Sequence, residues 1–253
     1  MRDGDTDIWL LGTIHALPPG VRWATPAVTR AIDGADLLVT EIPAADPRHA
    51  AAMFQDSAAV PGLPPLAARL PRTMGGALEK AVAASGVPAA TLDGMRSWAA
   101  AVTIGAGPMR LAGASPEFGV EAGLAQRFAG RRRAAFETQA WQLGQFAALP
   151  EAAQRVMLAR AVQDSGGYAT TLAAWTRGDA AGLAASVDPG FHGAPIVRAV
   201  LLTRRNARWS GWIARRMAAP GRVLVAVGAG HLVGRDSVVA MLRARGLKVE
   251  RVQ

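Results

Sequence analysis

Two short apolar runs at opposite ends of the chain stop in the same way. "IWLLGTIH" (residues 8–15) and "VLVAVGAGH" (residues 223–231) each run into a glycine, Gly12 or Gly228, and reach a histidine three residues later, His15 or His231. Short apolar runs ended by glycine read as strands buried on both faces. Glycine at the exit lets the backbone turn sharply and come close to a ligand where a Cβ would obstruct it. The chain has only four histidines, so two in one local pattern restrict the fold. The two strands have to end at one edge of one sheet if the histidines are to act together.

Further strand candidates are "ADLLVTEI", "RRAAFET" and a final "LKVERV", each short and apolar between turn residues. "TPAVTRAIDGA", with a threonine cap and proline at the first helical position, reads as the helix joining the first two strands. "RDSVVAMLRARG" reads as the helix joining the last two. Strands alternating with helices predict an α/β fold, a mainly parallel or mixed central sheet with helices on both faces. The alanine-rich middle predicts a long helical insertion over about residues 46–217. At 253 residues the whole chain, 1–253, is expected to form a single domain.

Composition removes several classes of function. With no cysteine there is no disulfide, no thiolate nucleophile and no Cys-ligated metal centre. The net charge of +9 comes almost wholly from arginines scattered along the chain, without the aromatic interleaving of a single-strand binding surface, so no nucleic-acid partner is expected. No apolar run is long enough for a transmembrane segment, and no signal peptide is visible. A G-x-S-x-G elbow, an H-E-x-x-H helix and a P-loop are all missing. "GAGHLVG" imitates a dinucleotide-binding glycine loop, but His231 inside it has no role in that reading. His49 and His192 lie in segments that read as solvent-facing.

The residues at the strand ends carry the chemistry. The first strand reaches His15, the second ends in Thr40 and Glu41, the third in Glu137 and Thr138, and the fourth reaches His231. The carboxyl edge of an open α/β sheet is where binding sites form. Two neutral imidazoles and one carboxylate suit a divalent transition ion with positions left for water and substrate. Glu41 is the preferred carboxylate, because after "LLVT" its charge needs a cation or donors to compensate burial. The plainer alternative is a pair of strand-end histidines bonded to loop carbonyls. Arg205, close to the last strand, is suited either to hold a substrate carboxylate or oxyanion, or to form a structural ion pair with Glu137 or Glu41.

The segments "WLLGTIHALPPGVRWATPAVTRAIDGADLLVTEI" and "RNARWSGWIARRM…VLVAVGAGHLVGRDSVVAMLRARGLKVERV" resemble the TraB/PrgY/GumN family. That family includes the Tiki metalloproteases and is grouped with erythromycin-esterase-like and ChaN-like proteins. Its two G-x-x-H motifs and its glutamate after the second strand correspond to Gly12 to His15, Gly228 to His231, and Glu41. "FGVEAGLAQRFAGRRRAAFETQAWQL" resembles the family's middle segment at Glu121, Glu137 and Thr138, and "RRNARW" its Arg-Asn helix start at Arg205 and Asn206. The resemblance implies a cell-envelope or secreted protein.

The expected function is a metal-dependent hydrolase of peptidase type. His15, Glu41 and His231 would hold one divalent ion (Zn, Mn, Co or Fe), Glu137 would act as general base, and Arg205 would meet developing charge. The substrate would be a peptide or small molecule. The alternative is a non-catalytic protein that sequesters a peptide, a haem-like ligand or a metal at the same pocket. In either case the strands of the two motifs are expected to be parallel neighbours, or separated by one strand.

Overall fold

The computed structural model describes residues 1–164 and 166–252. Its described strands, β1 (Thr6–Thr13), β2 (Leu37–Thr40), β3 (Arg132–Ala135) and β4 (Gly221–Gly228), form one parallel sheet in the order β1-β4-β2-β3. The two ends of the chain thus supply adjacent strands, paired from Thr6↔Gly221 to Thr13↔Gly228. β4 is the inner strand they depend on, and Val223 to Val227 are all buried.

Alternation along β4 builds two cores. Leu224 and Ala226 face one way, onto Val28, Ala31 and Ile32 of the helix Pro26–Gly34 and onto Val120, Leu124 and Phe128. Val223, Val225 and Val227 face the other way, onto Trp209 and Ile213 of the helix Arg204–Arg216 and onto Val238 and Leu242. This period of two, with helices on both faces, is the α/β arrangement expected from the apolar runs. The helix Pro26–Gly34 starts as its sequence indicates: Thr25 Oγ1 accepts from Val28 N, and Pro26 takes the first turn, where a missing N–H is harmless.

The long middle of the chain is mostly helical, with β3 set inside it. It builds separate apolar clusters, one around Leu92, Ile104 and Leu158 and another around Trp98. Buried Arg69 ties that layer together by donating to the carbonyls of Pro64 (2.7 Å), Met95 (2.6 Å) and Asp93.

One strand expectation fails. "LKVERV" forms no strand; residues 247–252 run as an irregular tail. Both neighbours of β4 are already taken, so the tail would have to extend an outer edge of the sheet. Instead Leu247 and Val249 pack onto the core around Ile213, while Lys248 and Glu250 pair with each other in solvent.

Leu224 is 1% exposed at the centre of the sheet. Leu224→Ala is expected to lower unfolding free energy by about 2–5 kcal/mol in a denaturant titration. Val249→Ala should cost well under half of that; equal losses would mean that the tail is part of the cooperative sheet.

Candidate functional site

The β1–β4 register puts the two G-x-x-H motifs side by side at the carboxyl edge. Each glycine makes room for the other motif. A Cβ on Gly12 would stand 3.1 Å from both Cα and Cβ of Ala229. A Cβ on Gly228 would stand 3.1 Å from Glu41 Oε1, 3.5 Å from His15 Nε2 and 3.6 Å from His231 Cδ2. Side chains from three strand ends therefore converge on the space where Gly228 has no side chain.

Each histidine is held from behind. His15 Nδ1 lies 2.7 Å from Glu121 Oε1, and that oxygen also accepts from Thr13 Oγ1. Glu121 reaches this place because Gly119, at the start of the helix Val120–Arg127, packs against the backbone of His15 so closely that a Cβ would overlap its carbonyl oxygen. The other Glu121 oxygen, Oε2, is buried without a hydrogen-bond partner. His231 Nδ1 lies 2.6 Å from Asn206 Oδ1, while Asn206 Nδ2 donates to the Asp236 carbonyl at 2.7 Å. That second bond fixes which end of the amide faces His231, so His231 carries its proton on Nδ1 and turns Nε2 to the site.

Glu41 Oε1 accepts from Gly228 N at 2.7 Å and lies 3.7 Å from His231 Nε2. Its Oε2 accepts from Arg205 Nη2 at 2.6 Å and from Gln142 Nε2 at 3.2 Å. Arg205, 5% exposed, also reaches both oxygens of Glu137 and approaches His231 Nε2 with Nη1 at 3.4 Å. It leaves the chain just after a π turn, Ala199–Thr203, and its Nη1 donates to the Leu201 carbonyl within that turn at 3.1 Å. The same helix face brings Trp209 against the His231 ring, at 4.6 Å between centroids, and Phe136 stacks on Trp209 in turn. Arg208, half-exposed, donates to Glu137 Oε1 at 2.8 Å.

These contacts split the two histidines. Burial lowers His231 to about 4, with the Arg205 charge adding to the effect and Glu41 opposing it. For His15, burial also acts downward, but the side chain is 69% accessible and the Glu121 bond and charge outweigh it, raising it to about 9. Burial acts upward on Glu41, but the charges of His231, Arg205 and His15 and the Gly228 N–H hold it down at about 2. Near neutral pH the site thus holds a protonated His15, a neutral His231 and an ionised Glu41.

The structure brings His15, Glu41 and His231 together and places Arg205 between Glu41, Glu137 and His231. Arg205 pairs with both candidate carboxylates. His49 and His192 are exposed on the helical layer. Gln142, Arg208 and Trp209 escaped the sequence reading. The last two stand three and four residues beyond Arg205, on the helix face that Arg205 itself marks, whereas nothing local to Gln142 signals its reach to Glu41. Among the described residues no three His, Asp or Glu side chains stand as they are in an arrangement that holds a metal ion. The Arg205 guanidinium is the cation lying against Glu41 and His231.

The TraB/PrgY/gumN family model matches residues 1–251 of this chain. No curated protein and no solved structure matches it. Among the described residues no helix is long and apolar enough to cross a membrane.

In a metal-free sample, histidine ring NMR is expected to show His15 titrating near 9 and His231 near 4. Folding then favours protonated His15, a contribution present below about 6.5 and lost as pH rises through about 9. It favours neutral His231, a contribution lost as pH falls from about 6.5 through about 4. Two histidines titrating together near 6.5 would contradict the Glu121 contact of His15 and the burial of His231 beside Arg205.

Proposed function

The chain belongs to the TraB/PrgY/gumN family, and on that footing we propose that it is a metal-dependent hydrolase of peptidase type. One observation carries the reading. Both motif histidines have Nδ1 committed to an acceptor, Glu121 or Asn206, while Glu41 and the two rings surround the gap over Gly228. Histidine ligands of metals are held in this manner, the second nitrogen tied to a carboxylate or amide oxygen.

The donor set fits one divalent ion: His15 Nε2, His231 Nε2 and a Glu41 oxygen, with Glu121 able to take the proton side of His15. Zinc, manganese, cobalt or iron(II) would each suit imidazole and carboxylate ligands. Such an ion supplies Lewis acidity and an acidified water. Loading requires His15 to lose its Nε2 proton and Arg205 to withdraw from His231. Arg205 has a second anchor in Glu137, so it can release Glu41 and still be paired.

We read Glu137 as a positioning residue rather than as the general base that its place at the sheet edge first indicates. Both of its oxygens already accept from guanidinium groups, and its side chain is 3% exposed. Glu137 positions Arg205, and Arg205 meets the charge that develops on a substrate carbonyl oxygen. The arginine lying across Glu41 and His231 favours, as a second reading, a pocket that captures a ligand without turnover; assay of the metal-loaded protein on a peptide and ester library separates the two.

Elemental analysis after stripping and reloading is expected to give about one ion per chain for the native protein, falling well below that in His15→Ala, His231→Ala and Glu41→Gln. Unchanged stoichiometry in all three variants would end the metal reading. Asn206→Ala should weaken metal affinity by roughly 10–100-fold by freeing the His231 ring; an affinity equal to the native one would deny Asn206 that role.

A further inference from the structure

Arg208 is built differently from the other exposed arginines. Its Nη2 donates to Glu137 at 2.8 Å, and its guanidinium lies over the Trp141 ring, 4.2 Å from the centroid. A carboxylate buried to 3% exposure thus grips one corner of a side chain that is itself 49% exposed, and an indole supports its face. An arginine has five N–H donors in a planar fork, and among the described residues Glu137 is the only hydrogen-bond partner of this one. Much of its conformational entropy is already lost in folding, and its remaining donors have no hydrogen-bond partner among the described residues.

The position matters as much as the chemistry. Arg205 and Arg208 share Glu137: Arg205, 6% exposed in its side chain, also reaches Glu41 and His231, whereas Arg208 is half-exposed. Trp141 and Gln142 are consecutive on the helix Gln139–Ala147, and Gln142 reaches in to Glu41 Oε2 while Trp141 carries Arg208. The same two helices therefore hold both the inner carboxylate and this outer guanidinium. A ligand group bound to Arg208 lies one buried carboxylate away from the converging histidines and Glu41.

We propose that Arg208, on its Trp141 platform, is a carboxylate-binding subsite beside the cluster of His15, Glu41 and His231, which selects peptides bearing a free C-terminal carboxylate or an acidic side chain close to the bond that is processed. A planar fork held at one corner matches a carboxylate in two-point contact, and the partly desolvating indole strengthens that contact over one made by a free surface arginine. This rests on the peptide-processing reading for the identity of the ligand, but binding is measurable without turnover.

The test is calorimetric titration of the full chain, in chelator and again after metal loading, with three probes. N-acetyl-trialanine carries a free terminal carboxylate, N-acetyl-Ala-Glu-Ala-amide carries a side-chain carboxylate, and N-acetyl-trialanine amide carries neither. At least one of the acids is expected to bind roughly tenfold tighter than the neutral amide, and which acid does so identifies the source of the carboxylate. That preference should shrink with added salt, vanish in Arg208→Gln, return in part in Arg208→Lys, and weaken in Trp141→Leu, which removes the platform and leaves the charge. Acids and amide binding alike to the native protein would overturn the proposal, as would a preference that survives in Arg208→Gln. The metal reading fails separately: if His15→Ala and His231→Ala lose no metal while the acid preference still depends on Arg208, the subsite stands and the hydrolase does not.

Discussion

Parallel pairing of β1 with β4, in the register that sets Thr13 beside Gly228, is the constraint on which the rest of the site depends. One residue of slip would turn each strand's side chains to the opposite face and separate the motifs along the sheet edge. The register is protected by packing on both faces, since Leu224 and Ala226 serve one core and Val223, Val225 and Val227 the other. It is protected again at the top, where Gly12 lies against Ala229 and Gly228 against Glu41 and His15. Two motifs at opposite ends of the chain meet because the intervening helical layer returns the chain through the helix Arg204–Arg216 to the inner place in the sheet.

Electrostatics inside that frame centre on Arg205. Burying a guanidinium with two carboxylates is costly unless nearly every donor finds a partner. Here Nε and Nη2 go to Glu137, Nη2 also to Glu41, and Nη1 to the Leu201 carbonyl within the π turn. The arginine is therefore a held charge with two anchors, able to give one up without being stranded. The same helix supplies Asn206 to orient His231 and Trp209 to back it, so a single turn positions the cation, the tautomer and the ring.

Much of this was legible in the sequence because it is written locally. Gly-x-x-His after an apolar run specifies a strand, a sharp exit and a ligand-competent side chain within a few residues, and both cases form as read. The cap at Thr25 and Pro26 is equally local. What was not legible depends on contacts across the chain. Whether Arg205 pairs with Glu41 or Glu137 is decided by the arrival of two strands and a helix, and it takes both. The tail "LKVERV" has strand composition, but pairing needs a vacant neighbour as well as β propensity, and the inner strand has none. Gln142 meets Glu41 over 101 positions of sequence, and no short pattern announces such a contact.

The account stands or falls on whether the gap over Gly228 is one metal site. Anomalous diffraction from crystals of metal-loaded protein measures this directly. The account predicts a single strong peak about 2.0–2.2 Å from His15 Nε2, His231 Nε2 and a Glu41 oxygen, with Arg205 drawn back onto Glu137. A loaded crystal with its ion bound elsewhere, or with Arg205 still bridging Glu41 and His231 and no peak beside them, would contradict it.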